Sequence, residues 1–476
     1  MKAQRSRSET HTLRIESIAK GGDGVAHLNG RAVLIPHTAP DDIVEATVEQ
    51  HGSVRRGRVL RIVQPSPDRV IAPCPLVGTC GGCDLMHLAV AAQERTHRAI
   101  AEDALRRVGG IAEHPPVITH APRAASDAAL EYRTRARLFA RVDRGRITIG
   151  FRAEGTHDLV CVDRCAVLVS PLNSLLTELP SVLEGAAGSG EISIALGATA
   201  PDGAKSVHTN PHEPDASTAV RESSVRTAEN VHNEAGTLAS SSVRIAPVVH
   251  IAWRGSFPVS VWARINKHIQ NRTWAGAGVL LDGATEPATF GDPRPVVPGA
   301  DGRPLRIAAG GFAQASDAAA VVLARRVADL VRNGSNSVPS IVELFAGSGT
   351  LSIVLAPLTT KFTSVESHAE SVRTARENFE LRGLSGKLVC ADADNYDIGR
   401  AEVVVLDPPR EGARGAAQRI AKSRARSVVY IACDPVTMAR DIAVLCAEAF
   451  RISHVETVEL FPHTSHVETL VRLVRR

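Results

Sequence analysis

From about residue 305 to the C-terminus, short apolar runs alternate with segments of helical periodicity. The runs at 341–345, 362–366, 403–406 and 428–432 are rich in valine and other residues that favour strands. Alternation of strands with amphipathic helices is typical of a parallel sheet that carries helices on both faces. We therefore predict an α/β fold whose C-terminal part, residues 305–476, is a doubly wound, Rossmann-like domain.

A glycine-rich loop follows the first strand of this domain, with the sequence Ala-Gly-Ser-Gly-Thr at 346–350. Gly347 and Gly349 would let a nucleotide-like ligand come close to the backbone amides at the start of the next helix. A dinucleotide fingerprint needs a third glycine at the position of Ser352. The loop therefore favours S-adenosylmethionine over NAD, and over a turn that binds nothing.

Acidic and nucleophilic side chains lie at the ends of the other strands. Glu366 ends the second strand, where it could accept hydrogen bonds from ribose hydroxyls, and Asp392 follows the third. Asp407 and Cys433 come directly after two further strands. Because the carboxyl ends of parallel strands border one crevice, we expect these side chains to face the ligand of the glycine loop. A buried structural thiol is the ordinary alternative for a cysteine, and the position of Cys433 at a strand end argues against it.

The N-terminal part, residues 1–66, contains short strand-like segments separated by turn signals, which predicts a small barrel of the oligonucleotide-binding kind. Its arginines favour a nucleic-acid partner over a barrel that merely caps the next domain. Residues 67–304 are predicted to form a mostly β central domain. Within it, residues 199–243 contain no Phe, Trp, Tyr or Ile, so we predict a disordered insertion there.

Two clusters in the central domain suggest further binding sites. Cysteines at 74, 80 and 83, with others downstream at 161 and 165, suit either zinc or an iron-sulfur cluster, and their spacing leaves the metal open. Arg133, Arg135 and Arg137 alternate along a predicted strand, so they share one face and could contact phosphates and stacked bases. A solvated strand face is the ordinary alternative.

Composition excludes some classes of protein. No apolar run approaches the roughly 20 residues of a membrane span, and the polar N-terminus lacks the apolar stretch of a secretory signal. We therefore expect a cytoplasmic protein without a membrane partner. Eight cysteines in 476 residues are too few for a disulfide scaffold. A net charge of +4 only mildly favours an anionic partner.

Two C-terminal motifs carry a resemblance to a known family. They are Tyr-Ile-Ala-Cys-Asp-Pro at 430–435 and Phe-Pro-His-Thr-Ser-His-Val-Glu-Thr at 461–469. With the segments above, they resemble the RNA uracil-5-methyltransferases, in particular the ribosomal-RNA branch. The sequence departs from that family at three positions, Ser316, Ala432 and Glu459, none of which is a reacting residue.

The resemblance implies roles for individual residues. It implies that Cys433 is the nucleophile, that Glu468 is the general base, and that the N-terminal barrel is a TRAM domain. S-adenosylmethionine would be bound by Gln314, Phe345, Gly347, Gly349, Glu366, Asp392 and Asp407. A [4Fe-4S] cluster would be ligated by Cys74, Cys80, Cys83 and Cys165.

The expected activity is S-adenosylmethionine-dependent methylation of C5 of a uridine through a covalent bond between Cys433 and C6. Ribosomal RNA, 23S above all, is favoured over transfer RNA, and a monomer is expected. An amino-group methyltransferase is the nearest alternative, because Asp407 opens an Asp-Pro-Pro sequence. Arg410 follows it where an aromatic ring is usual in such enzymes. A non-catalytic RNA-binding or cluster-dependent sensor protein is the other alternative.

Overall fold

The structure is a computed structural model that describes residues 9–120, 129–199, 244–334 and 338–476. Except for Thr199, the predicted insertion lies outside the described residues, so its disorder stays a prediction.

The N-terminal region forms a curved, six-stranded half-barrel with the strand order β1-β5-β6-β4-β3-β2. Apolar residues at alternating strand positions, among them Val33, Ile35 and Val44, are fully buried on its inner face. As predicted, the region consists of short strands separated by turns. The strands are β1 (Glu9–Arg14), β2 (Ser17–Ile18), β3 (Gly24–Leu28), β4 (Arg31–Ile35), β5 (Ile43–His51) and β6 (Val54–Gln64).

The central region is a seven-stranded sheet with the order β10-β9-β8-β11-β12-β13-β14. Two helices pack on it over a core that includes Trp253 and Trp274. The predicted insertion connects β11 to β12, which form a long antiparallel pair. The elements are β8 (Arg135–Asp143), β9 (Arg146–Arg152), β10 (Leu159–Cys161), α2 (Ser170–Val182), β11 (Ala187–Thr199), β12 (Arg244–Ser256), α3 (Val259–Gln270), β13 (Gly276–Leu281) and β14 (Ala288–Gly291).

The C-terminal region is the predicted doubly wound α/β domain. Its strands are β15 (Val296–Pro298), β16 (Pro304–Arg306), β17 (Ile341–Leu344), β18 (Phe362–Glu366), β19 (Lys387–Cys390), β20 (Val403–Leu406), β21 (Ser427–Ala432), β22 (Phe450–Val458) and β23 (Glu468–Arg475). Its helices are α4 (Asp317–Arg332), α5 (Ser352–Leu355), α6 (Ala369–Glu380), α7 (Arg414–Lys422) and α8 (Pro435–Glu448), with short 3-10 turns at Ala356–Leu358 and Ala393–Asn395.

The main sheet of this region has the order β19-β18-β17-β20-β21-β23-β22-β7, where β7 is Val117–His120. Strands β17 to β21 are parallel, and β23 runs antiparallel between β21 and β22. The sequence therefore predicted the fold class correctly. It did not predict the antiparallel strand, whose apolar alternation resembles that of any half-buried strand.

The segment between the half-barrel and the central sheet packs on the C-terminal domain. Helix α1 (Val90–Arg107) buries Ala101, Ala104 and Leu105 in the core of that domain. Strand β7 pairs in parallel with β22 at the edge of its sheet. The boundary drawn at residue 66 assigned both elements to the central domain, and the structure corrects this. Pairing between strands so distant in sequence leaves no local signal.

The central and C-terminal regions are joined by an ion pair at the start of β8. The Arg135 guanidinium lies 2.8 Å from the carboxylate of Asp317, at the start of α4, and also donates to the carbonyl of Gln314. Burial lowers the pKa of Arg135, and Asp317 partly offsets this. Arg135 was expected to contact RNA together with Arg133 and Arg137. Its side chain is only 15% exposed and is held by Asp317, so its assignment as an RNA contact is wrong.

Replacement of Arg135 by methionine should destabilise the protein, because the Asp317 side chain, 13% exposed, would lose its ionic partner. Loss of one partner of a largely buried pair costs about 3–5 kcal/mol. Arg137→Met is the matched control: its side chain is 68% exposed and pairs with Glu191, so the loss should stay below about 1 kcal/mol. Urea unfolding would measure both, and equal effects would contradict the docking role.

Candidate active site

The nucleophile and the base predicted from the motifs are neighbours across two strands. Strand β21 pairs with β23 in antiparallel register, and its last pair joins Ala432 to Thr469. One step further along this register, Cys433 lies opposite Glu468. The motifs therefore converge because β23 returns antiparallel beside β21, with Cys433 directly after one strand and Glu468 at the start of the other.

The Cys433 thiol is partly buried and lies near negatively charged side chains. Burial raises its pKa to about 11, and Glu468 and Asp407 raise it too, whereas Arg410 lowers it. The thiol is therefore protonated near neutral pH in the free protein. Its use as a nucleophile requires a bound positive charge, or loss of a nearby negative one.

Glu468 has an unusual environment for a carboxyl group. It is 1% exposed, and neither side-chain oxygen has a hydrogen-bond partner among the described residues. Burial, followed by the charge of Asp407, raises the pKa of Glu468 well above its ordinary value. Buried polar atoms without partners are rare in folded proteins and cluster where a ligand or a reaction needs them.

A small cavity of about 60 Å³ opens beside this pair at the carboxyl ends of β17 and β20. Gln314, Phe345, Gly347 and Asp407, all expected to contact S-adenosylmethionine, line it. Burial raises the pKa of Asp407 to about 7. An anionic carboxylate at the wall of this cavity suits a cationic ligand such as the methyl sulfonium.

The glycine loop is bent by residues in the left-handed region. Gly347 and Gly349 have φ values of 56° and 94°, where a side chain would be strained. Phe345 has φ 62° although it is not glycine. Such backbone strain is found at functional sites, where the surrounding structure holds it in place. Gly349 shapes the loop without lining the cavity.

Two predicted ligand residues lie outside the cavity wall. Glu366 accepts hydrogen bonds from the backbone amides of Gly347, at 2.9 Å, and His368, at 2.7 Å, and so holds the glycine loop. Asp392 is exposed and accepts from the amide of Asp394 at 3.0 Å, capping a 3-10 turn. The structure thus brings Glu366 to the loop but leaves Asp392 at the rim.

The sequence analysis missed Glu343, which lines the same cavity from inside β17. It is 1% exposed and accepts a hydrogen bond of 2.5 Å from the hydroxyl of Ser352. Burial raises its pKa to about 8, and Ser352 opposes the shift. An acidic residue within an otherwise apolar buried strand was the available signal.

Four cysteines border a second cavity, of about 300 Å³: Cys74, Cys80, Cys83 and Cys165. Burial, followed by the charges of the other three thiols, raises the pKa of Cys83 to about 12. Cys161, by contrast, is exposed and lies outside this wall. Among the described residues, no group of three or more His, Cys, Asp or Glu side chains is arranged to hold a single metal ion.

The same cavity is also bordered by basic side chains and by residues that precede Glu468 in sequence. Arg133 and Arg137 line it, whereas Arg135 does not. The lining also includes Phe461, Thr464 and His466, which belong to the connection between β22 and β23. We refer to that connection, residues 459–467, as the base loop.

Comparisons with known proteins agree with this arrangement. Residues 387–476 match the tRNA (Uracil-5-)-methyltransferase family, and residues 4–52 match the TRAM domain. A 23S rRNA (uracil(1939)-C(5))-methyltransferase, RlmD, of Pseudomonas putida is 30% identical, covering 96% of this chain and 92% of its own. An uncharacterized RNA methyltransferase of Gloeobacter violaceus is 30% identical, covering 98% and 97%.

One solved structure has a similar fold over nearly the whole chain. It is the tRNA (uracil-54, C5)-methyltransferase of Pyrococcus abyssi in complex with S-adenosyl-L-homocysteine, with a TM-score of 0.68 and 20% sequence identity. The superposition covers 98% of this chain and 100% of the other.

The doubly wound sheet, its glycine loop and the cleft beside Asp407 define an S-adenosylmethionine-dependent methyltransferase. The half-barrel in front of it is a TRAM domain. The near-complete match to RlmD shows that the chain belongs to the RNA uracil-5-methyltransferase family. Among the described residues, no helix is both long and apolar enough to cross a membrane.

Binding of S-adenosylmethionine should strengthen as pH rises from about 6 to about 8. Asp407 is largely protonated below its pKa of about 7 and ionises above it, so its attraction for the sulfonium appears only at the higher pH. We expect a gain of roughly tenfold, the equivalent of about one pKa unit. Isothermal titration calorimetry would measure it.

S-adenosylhomocysteine, a neutral thioether, is the matched control ligand and should show a smaller dependence on pH. Asp407→Asn should flatten the curve for S-adenosylmethionine. An equal pH dependence for the two ligands would contradict a role for the Asp407 charge.

Proposed function

We propose that this protein methylates C5 of a uridine in RNA, with S-adenosylmethionine as methyl donor and with Cys433 bonded transiently to C6. The observation that carries the proposal is the pairing of Cys433 with Glu468 beside the cleft that Asp407 borders. Direct methylation of an amine would need neither the thiol nor a buried carboxyl group without partners.

The chemistry needs a thiolate because C5 of uracil is a weak nucleophile. Attack of Cys433 sulfur on C6 forms the S–C6 bond and places the electron pair of the C5–C6 double bond on C5 and O4. C5 can then take the methyl group, which S-adenosylmethionine supplies with cleavage of its sulfur–methyl bond. The thiol proton must leave before attack, and Arg410 is the nearby group that lowers the pKa of Cys433.

Glu468 completes the cycle by removing the C5 proton. The electron pair of the C5–H bond then re-forms the C5–C6 double bond and expels the Cys433 thiolate. A raised pKa suits this step, because a carboxylate held in an apolar site is a stronger base than one in water. The target base must leave its stack to reach a pair at this depth.

We propose 23S ribosomal RNA as the substrate. The support is the near full-length similarity to RlmD enzymes, whose names state that activity. Arg133 and Arg137, which line the large cavity, would contact the RNA phosphates. The TRAM half-barrel, with its exposed Arg58, would provide a second basic surface.

We further propose that Cys74, Cys80, Cys83 and Cys165 ligate a [4Fe-4S] cluster. The support is that all four cysteines border one cavity and that the other three thiols raise the pKa of Cys83, so the four lie near one another. Four thiolates are the ligand set of such a cluster. The cluster would stabilise the segment from Cys74 to Cys83. An isolated bridge from Cys80 to Ala153 already holds this segment beside the end of β9.

Replacement of Cys433 and of Glu468 should give different failures. Cys433→Ala should transfer no methyl to RNA, because no adduct with C6 can form, while S-adenosylmethionine still binds. Glu468→Gln should accept the methyl and then stall, which leaves RNA covalently attached through Cys433. A denaturing gel with radiolabelled methyl donor separates these outcomes. Methylation by Cys433→Ala, or methyl on an exocyclic amine, would favour an amino-group methyltransferase instead.

The cluster proposal predicts that anaerobically purified protein is brown and contains iron. Cys83→Ser or Cys165→Ser should bleach it and lower its thermal stability, because ligation contributes to folding. Cys161→Ser is the matched control and should keep the colour, since Cys161 lies outside the cavity. Stoichiometric zinc without iron would refute the cluster.

A further inference from the structure

The position of Glu468 is not fixed by its own side chain. Its two oxygens have no hydrogen-bond partner among the described residues, although the side chain is buried. Its placement therefore depends on β23 and on the base loop that leads into it. The base loop in turn is held by residues that lie outside β22 and β23.

Three partners of the base loop come from α1 and from the residues just before it. The amide of Leu85 donates to the carbonyl of His463 at 2.9 Å. The Gln93 side chain accepts from the amide of His463 at 2.7 Å. The Asp84 carboxylate accepts from the amide of Ser465, also at 2.7 Å. A segment more than 300 residues away in sequence thus binds the backbone of the base loop.

His97, one helical turn after Gln93, makes two contacts with this loop. Its Nε2 lies 2.7 Å from the carbonyl oxygen of Thr464, and its Nδ1 lies 2.7 Å from a carboxylate oxygen of Glu459. A carbonyl oxygen only accepts, so Nε2 must carry the proton. Burial, the largest single effect, lowers the pKa of His97. The charge and hydrogen bond of Glu459, the hydrogen bond to Thr464 and the charge of Asp84 together outweigh it, so the net pKa is raised.

We propose that His97 is a positioning residue for the reaction: its Nε2–H fixes the carbonyl of Thr464 and so sets where Glu468 meets C5 of the target uridine. Glu459 orients the imidazole for that contact from the other side. The proposal rests on the covalent function proposed above, because it assigns the effect to the step in which Glu468 acts.

Two polar variants of His97 separate this role from simple stabilisation. The amide nitrogen of glutamine can reach the place of Nε2, so His97→Gln keeps the contact with Thr464 and loses that with Glu459. The amide nitrogen of asparagine takes the place of Nδ1, so His97→Asn keeps Glu459 and loses Thr464. Each variant thus loses one of two buried contacts, and each should bind S-adenosylmethionine with unchanged affinity.

The measurement is the partition of methylated RNA between released product and RNA attached to Cys433 on a denaturing gel. We expect His97→Asn to accumulate attached, methylated RNA and to turn over about tenfold more slowly, since a general base contributes roughly 10²–10⁴-fold in rate. KM for RNA should stay unchanged. His97→Gln should release product nearly as the unchanged protein does.

Ala104→Gly is the control for loss of helix stability. It weakens α1 two turns after His97, at a position buried in the core of the C-terminal domain whose side chain cannot hydrogen-bond the base loop. It should reduce methyl transfer and release together, without trapped RNA. Equal partition in His97→Asn and His97→Gln, or a partition like that of Ala104→Gly, would overturn the positioning role. Absence of trapped RNA in Glu468→Gln would instead refute the proposed covalent function.

Discussion

The antiparallel register between β21 and β23 is the constraint on which the chemistry depends. It places the residue after one strand opposite the first residue of the other, and these are Cys433 and Glu468. A shift of one residue would turn the Glu468 side chain to the opposite face of the sheet. Burial of both faces of this sheet fixes the register, since Tyr430 and Val471 are fully buried on one face and Ile431 and Leu470 on the other.

The site also brings together acidic groups whose charged forms are unfavourable in the free protein. Asp407, Glu343 and Glu468 all have raised pKa values because burial disfavours their charged forms, and the Cys433 thiol has the same tendency. A cation in the cleft would relieve this mutual repulsion. The arrangement is therefore better matched to a sulfonium ligand than to an empty cleft, and binding of the donor and activation of the thiol become linked.

Much of the site could be predicted from sequence because its residues follow strands. Asp407 and Cys433 end parallel strands, and the rule that such ends share a crevice brings them together. Arg135 was misassigned because its partner, Asp317, lies 182 residues away and nothing local signals their contact. For the same reason β7 was assigned to the central domain: its partner strand is β22, near the C-terminus. In both cases the position is determined by a contact with a distant part of the chain, and local propensity carries no signal of it.

The place of β7 has a consequence for how the chain folds. The central sheet is inserted between β7 and the rest of the domain to which β7 belongs, so Val117 can pair with Val455 only after nearly the whole polypeptide exists. Contact order is thus high at that edge of the sheet, and closing so long a loop slows folding. During synthesis, the apolar face of α1 would stay exposed until the last strands emerge. Such exposed surface favours aggregation and is bound by chaperones.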